Sequence, residues 1–236
     1  LIDVQRAGPS TGMPTRPQQS DVQLSAYASH GDTKQVLLFP SNPKECFEMT
    51  ADSFDLADML QTPVIILTDL DLGMNDHTSE PFKWDNRRKY RKGKVLNAKQ
   101  LDEIGRFGRY LDVDGDGIPY RTYPGTHPTK GAFFTRGTSR DEYANYTEDG
   151  EVYKRNMDRL LVKWETAKAM VPEPEVYQKK NTGDYGMIFF GTSADSALEA
   201  MDLMTMDGLR IDALRIKSFP FNNTVLEFIN DHQQVF

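Results

Sequence analysis

The chain predicts an α/β fold, with helices alternating with strands that run parallel within each unit. Two observations carry that expectation. Apolar runs at residues 35–39 (QVLLF) and 63–70 (PVIILTDL) flank a stretch of helical apolar spacing with short connections, the pattern of a parallel crossover. The same order returns near the C-terminus, where runs at 185–191 (YGMIFFG) and 209–216 (LRIDALRI) bracket a second helical stretch. We divide the chain accordingly into 1–97, a loop-rich connector with a long helix at 98–178, and 179–236.

Taken in order, residues 1–4 open as a strand. Residues 21–30 predict a short helix with Ser20 or Asp21 as its N-cap, although Val22, Leu24, Ala26 and Ala28 alternate instead of following a 3.6-residue period. Pro40 ends the strand at 35–39. Ser41 or Asn42 then caps a long helix with Pro43 in its first turn. Its core-facing stripe is Cys46, Phe47, Met49, Phe54, Leu56, Ala57 and Leu60. Residues 148–171 predict an amphipathic helix with Val152, Met157, Leu160, Leu161, Trp164, Ala167 and Met170 along one side. Pro172 and Pro174 stop it and make a stiff linker. Thr192 or Ser193 caps the helix at 194–206, a further helix follows at 220–230, and a strand begins at 235–236. Strand starts at both ends predict an internal piece of a longer polypeptide.

Composition narrows the function classes. The chain has 236 residues and a net charge of −7 from 28 basic and 35 acidic side chains. That balance argues against a nucleic-acid footprint or an anionic membrane surface. The longest apolar run, residues 64–67, is far too short to span a bilayer. Cys46 is the only cysteine, so this chain alone builds no disulfide framework, zinc-thiolate site or iron–sulfur cluster. His30, His77, His127 and His232 show no ligand spacing. The expected compartment is the cytoplasm.

Several stretches carry candidate chemistry. Residues 5–21 crowd Gly, Pro, hydroxyl residues and Arg6 between a strand end and a helix start. Free backbone N–H groups, hydroxyls and a planar guanidinium favour a carboxylate or phosphate. An ordinary surface turn is the other reading. Asp69, Asp71 and Asp76 follow the second strand, where short carboxylates capping a helix or loop are favoured over a metal site. The basic run Lys83, Arg87, Arg88, Lys89, Arg91, Lys92, Lys94 and Lys99 reads as a solvated face or a dock for a negative partner. Asp112, Asp114, Asp116 and Gly117 resemble the opening of a calcium loop. The twelfth position, however, is Tyr123 instead of a bidentate Glu, and Pro119 and Pro124 occupy the place of the exit helix, so a tight turn is expected. The long loop region at 120–142 suggests a lid, binding loop or interface arm. Within it His127, Lys130, Arg136 and Arg140 can meet phosphates, while a hydrogen-bonded loop histidine is the favoured reading of His127.

The run RAGPSTGMPTRPQQSD at 6–21 resembles the α subunit of 2-oxoacid:ferredoxin oxidoreductases, closest to the 2-oxoglutarate branch. The resemblance continues through His30, Gly31 and Asp32, then 63–73, 106–125 and 135–142, and so covers nearly the whole chain. It implies that residues 1–97 form the C-terminal part of a thiamine-diphosphate pyrimidine-binding domain, and that 179–236 form part of a transketolase C-terminal-like α/β domain. It also implies that Arg6 and Thr15, flanked by Ser10 and Thr11, bind the carboxylate and carbonyl of a 2-oxo acid. The thiamine-activating carboxylate would lie upstream of this sequence, so Glu142 is not assigned that role. Implied partners are a beta subunit and, through the holoenzyme, ferredoxin. Thiamine diphosphate and Mg2+ would be held mostly by residues outside this chain, coenzyme A would be co-substrate, and an iron–sulfur cluster would sit on the partner subunit. A non-catalytic α/β interaction module and a pyruvate or branched-chain 2-oxoacid enzyme are the alternatives.

Overall fold

A computed structural model describes residues 1–236 apart from 9, 19, 32, 136 and 178–183. Pro9 of the loop motif, Asp32 and Arg136 lie outside the described residues. The described residues form two four-stranded, mostly parallel sheets flanked by helices. The expected α/β class is what the chain adopts. No helix among the described residues is long and apolar enough to cross a membrane.

The first sheet has β1 (Ile2–Val4), β2 (Val36–Leu38) and β3 (Val64–Thr68), with β3 in parallel between the other two. Helix α1 (Ser20–Ala26) follows β1, and α2 (Pro43–Leu60) connects β2 to β3. Asn42 is the N-cap of α2, its Oδ1 accepting from the Glu45 N–H at 3.0 Å. Val36, Leu38, Val64 and Ile66 face Met49, Leu56 and Leu60 of α2. Leu37, Phe39, Ile65 and Leu67 face the opposite way, against α1 and the second unit. Covering both faces is why these strands are continuously apolar. Beyond β3 lie two short helices the sequence reading did not anticipate, α3 (Leu70–Met74) and α4 (Ala98–Glu103). Asp69 caps α3, its Oδ1 accepting from the Leu72 N–H at 3.1 Å, which is the capping role favoured for it.

Helix α5 (Gly150–Lys168) brings Trp164 and Ala167 onto the same core as α2. Two expected stripe positions are exposed: Phe54 of α2 and Leu161 of α5. Phe54 instead meets the Tyr90 ring edge-on at 6.0 Å, because the basic run lies along α2. Most of that run is the solvated face expected: Lys83, Arg87, Lys89, Arg91, Lys92 and Lys99 are exposed, and only Arg88 and Lys94 are half-buried. Arg88 pairs with Asp52 and Asp55, and Lys92 with Asp58.

The second sheet contains β4 (Glu175–Tyr177), β5 (Tyr185–Phe190), β6 (Ile211–Ile216) and β8 (Gln234–Val235), with helices α6 (Ser193–Met206) and α7 (Asn223–Asn230). β5 runs parallel to both β6 and β8. β4 is antiparallel to β6 and starts where a linker was expected. Between β6 and α7, β7 (Ser218–Phe219) pairs antiparallel with β2 and so joins the first sheet. That excursion and the Phe39–Phe190 ring contact at 5.0 Å lock the two units together.

Buried charges reinforce the junction. Arg215 of β6 reaches Glu45 in the first turn of α2 and Glu175 of β4, the latter at 3.0 Å. Lys217 adds contacts of 2.9 Å to Glu175 and 3.5 Å to Glu45. Burial pushes the Glu45 carboxyl up. The bonds from Arg215 and Ser41 outweigh that and hold it below the ordinary carboxylate range.

Candidate substrate site in the first βα loop

The loop from β1 to α1 emerges at the carboxyl end of the parallel strands, the edge where α/β sheets bind ligands. Gln5 anchors it. Its N–H and its side-chain amide both donate to the Thr68 carbonyl at the end of β3, at 2.9 and 3.3 Å. The next amide, Arg6 N–H, donates to Asp21 Oδ2 at 3.0 Å, tying the loop to the first turn of α1. Asp21 is buried, and it adds to the effect of burial in raising the Asp3 carboxyl, while the Ser25 hydroxyl bond partly offsets both.

Within the loop Ala7 bridges Met13 antiparallel. Ala7 N–H donates to the Arg16 carbonyl at 2.7 Å, and Gly12 N–H donates back to the Ala7 carbonyl at 2.9 Å. The expectation of wholly free backbone amides is therefore corrected: a small hairpin consumes those of Ala7, Gly12, Met13 and Arg16. Ser10 takes a left-handed conformation at φ 55° to close it.

Arg6 is half-buried, and its Nη1 donates to the Gln5 carbonyl at 3.1 Å. Among the described residues it forms no ion pair, so its guanidinium is not neutralised from within. Ser10, Thr11 and Thr15 are exposed along the same loop. Thr15 Oγ1 accepts from Arg16 Nη1 at 3.0 Å, leaving its own proton free to donate. Arg6 and Thr15 thus share one small hairpin, whose closing bond runs from Ala7 N–H to the Arg16 carbonyl.

The other singled-out residues are engaged internally. His127 Nδ1 accepts from the Thr129 and Lys130 N–H groups at 3.1 and 2.9 Å. Its Nε2 then faces Asp102 Oδ1 at 3.1 Å, which also takes Lys130 Nζ at 3.2 Å. This is the hydrogen-bonded loop histidine expected. Glu142 pairs with Arg155 at 2.9 Å. Asp112 accepts from the Gly115 and Gly117 N–H groups at 2.9 and 2.8 Å, as a tight turn requires. One expectation fails in detail: Thr192 precedes α6 but makes no side-chain cap, because its hydroxyl donates to Asp69 Oδ2 across the two units. No sequence signal links those positions, which lie 123 residues apart.

Residues 1–160 match the family described as pyruvate flavodoxin/ferredoxin oxidoreductase, thiamine diphosphate-binding. The chain belongs to this family. It is 29% identical over 226 residues to the α subunit of 2-oxoacid:ferredoxin oxidoreductase 2 from Aeropyrum pernix, covering 94% of this chain and 34% of that one. It is 28% identical over 229 residues to the 2-oxoglutarate synthase subunit KorA of Methanothermobacter thermautotrophicus, covering 95% of this chain and 57% of that one. Both relatives are enzyme subunits, and this chain spans only about a third to a little over half of their length. Among solved structures it is similar to a 2-oxoglutarate:ferredoxin oxidoreductase from Magnetococcus marinus with 2-oxoglutarate, coenzyme A and succinyl-CoA bound. The TM-score is 0.83 at 27% identity, over 99% of this chain and 40% of the other.

Proposed function

We propose that this chain is part of the catalytic α subunit of a cytoplasmic 2-oxoacid:ferredoxin oxidoreductase that uses thiamine diphosphate and coenzyme A, with 2-oxoglutarate as substrate. One observation supports the substrate role most: the Arg6 guanidinium stands half-buried at the carboxyl edge of a parallel sheet without a counter-charge among the described residues. In this reading its planar fork takes the substrate carboxylate bidentately, Thr15 Oγ1 donates to the 2-oxo oxygen, and Ser10 and Thr11 line the approach. Arg6 gives up only the Gln5 carbonyl to do so, exchanging a neutral acceptor for a charged one. Thiamine diphosphate, when bound, supplies the thiazolium that serves as electron sink for decarboxylation.

The donor set fits the substrate end of such a site, a cation with hydroxyls beside it. Among the described residues no group of three His, Cys, Asp or Glu side chains is placed to hold a metal ion. We assign Mg2+ and the diphosphate mostly to a partner beta subunit, as the resemblance to the family implies. The iron–sulfur cluster and the contact with ferredoxin go there too, since one cysteine cannot hold a cluster. The proposed division into a pyrimidine-binding part at 1–97, a connector at 98–178 and a transketolase C-terminal-like part at 179–236 is supported by the two sheets. Two strands cross those bounds: β4 lies in the connector by sequence and pairs in the second sheet, and β7 belongs by sequence to the last part and by pairing to the first sheet.

The test is dye reduction by the chain assembled with its beta subunit, comparing 2-oxoglutarate, pyruvate and branched-chain 2-oxo acids. Highest kcat/KM on 2-oxoglutarate, lost on changing Arg6, is the expected result. Preference for another 2-oxo acid would overturn the substrate, and indifference to Arg6 would overturn the clamp.

A further inference from the structure

Three consecutive amides at the end of β1 are held by three different elements. Gln5 N–H donates to the Thr68 carbonyl of β3 at 2.9 Å, and Ala7 N–H donates to the Arg16 carbonyl of the hairpin at 2.7 Å. Between them, Arg6 N–H donates to Asp21 Oδ2 of α1 at 3.0 Å. The outer two acceptors are backbone carbonyls, which any residue supplies. The middle one is a side chain, so the residue type at position 21 decides whether it exists.

Asp21 is buried, and among the described residues no cation pairs with it. Burying an anion is costly unless its oxygens find donors. Here both donors come from the loop: Oδ2 takes the Arg6 amide, and Oδ1 faces Gln18 Nε2 at 3.5 Å. Gln18 in turn lies against Gly8, where a Cβ would stand 3.5 Å from the Gln18 Nε2. One carboxylate thus grips both limbs of the loop, at residues 6 and 18. With its oxygens so engaged it holds the Arg6 backbone and leaves the guanidinium alone. That group reaches back only to the Gln5 carbonyl, at 3.1 Å.

We propose that Asp21 is a positioning residue for the substrate clamp: it fixes the Arg6 backbone where the guanidinium fork meets the carboxylate of the 2-oxo acid, and keeps its own charge off that fork. The inference rests on the reading of Arg6 as the clamp.

The test is kcat/KM on 2-oxoglutarate for the chain assembled with its beta subunit, with Asp21→Asn and Asp21→Ala made alone and on top of Arg6→Lys. Asp21→Asn keeps an acceptor for the Arg6 amide, since Gln18 can turn its own amide to accept from the new NH2 group. It should stay within about threefold of the parent. Asp21→Ala leaves the amide unmet and the fork unplaced, and should lose roughly tenfold or more. In the Arg6→Lys background the fork is already gone, so the same alanine change should cost less than about twofold. Asp21→Ser, which keeps a residue suited to a helix start, replaces the alanine variant in the cycle if that one does not fold. Ser25→Ala controls for a loosened helix: it removes the 3.1 Å bond from α1 to Asp3 Oδ2 of β1 without touching the loop, and should behave like the parent. A loss of equal size in both Arg6 backgrounds, or one matched by Ser25→Ala, would make Asp21 merely structural and overturn the proposal. A loss of about tenfold in Asp21→Asn would overturn it too. A harmless Arg6→Lys would remove the clamp reading and this inference with it, whereas a harmful Arg6→Lys with an undiminished Asp21 effect would remove this inference alone.

Discussion

Lys94 Nζ lies 2.7 Å from Asp116 Oδ1, where a cation would sit if the acidic turn at 112–117 bound one. Asp114 Oδ2 at 2.6 Å and the Ile118 carbonyl at 3.0 Å complete its shell, and the Tyr120 ring lies 5.3 Å away. The turn therefore brings its own cation from the basic run. Burial works against the Lys94 charge, and the two carboxylates more than compensate and raise it.

Millimolar calcium should accordingly leave Tm unchanged in the parent protein, because a ligand stabilises only by binding the native state. Lys94→Met should destabilise by about 1–3 kcal/mol in urea titrations, the cost of leaving charged partners unmet. A calcium-dependent rise in the parent would mean that metal displaces the lysine.

Lys163 predicts an alkaline gain in stability. It is buried, with Thr62 Oγ1 at 2.5 Å as its hydrogen-bond acceptor, and burial lowers its ammonium to about 8, with Arg159 and Arg109 adding to the effect. The unfolded chain holds that proton to about pH 10.4, so between about 8 and 10.4 the unfolded state binds more protons and stability rises with pH. Below about pH 8 the full penalty of about 3 kcal/mol is present. Lys163→Met should be more stable than the parent at pH 7, with the gap narrowing from pH 8 to 10 in denaturant titrations. A gap independent of pH would refute this.

Glu45 predicts the acid side. Its carboxyl is lowered in the folded chain, so its contribution is present at neutral pH and is lost as pH falls through the folded value. Glu45→Gln should melt lower than the parent at pH 7, and the two curves should converge as the pH drops below the ordinary carboxylate range. Parallel melting curves from pH 7 down to about 3 would rule out that linkage.

Arg6→Lys tests the substrate clamp in the assembled enzyme. Lysine keeps the charge but loses the two-point fork, so kcat/KM should fall by roughly 10- to 150-fold, matching about 1.5–3 kcal/mol. Thr15→Val should cost less, about 0.5–1.5 kcal/mol, since one neutral hydrogen bond goes and shape is nearly kept. Wild-type efficiency in both, with folding confirmed, would remove this loop from the substrate site.

Short-range physics made much of the fold legible. Asn42 with Pro43 marked the start of α2, and the apolar runs around 35–39 and 63–70 gave β2 and β3, because capping and period are local properties. The motif at 6–21 likewise identified Arg6 and Thr15 as candidates before any geometry was known. What the sequence could not specify was partnership over long separations. β7 is two residues long, too short for a periodic signal, and only pairing with the side of β2 away from β3 makes it a strand. Thr192 has the chemistry of a helix cap, yet the meeting of the two units gives its hydroxyl to Asp69. Lys94 finds Asp116 22 residues away, and Arg109 and Arg159 share one neighbourhood through packing alone. Residue type and spacing determined the elements and the chemistry on offer. Tertiary packing decided which charges meet, which stay unmatched and which hydroxyl is spent, because those energies depend on distance and burial that only the folded chain sets.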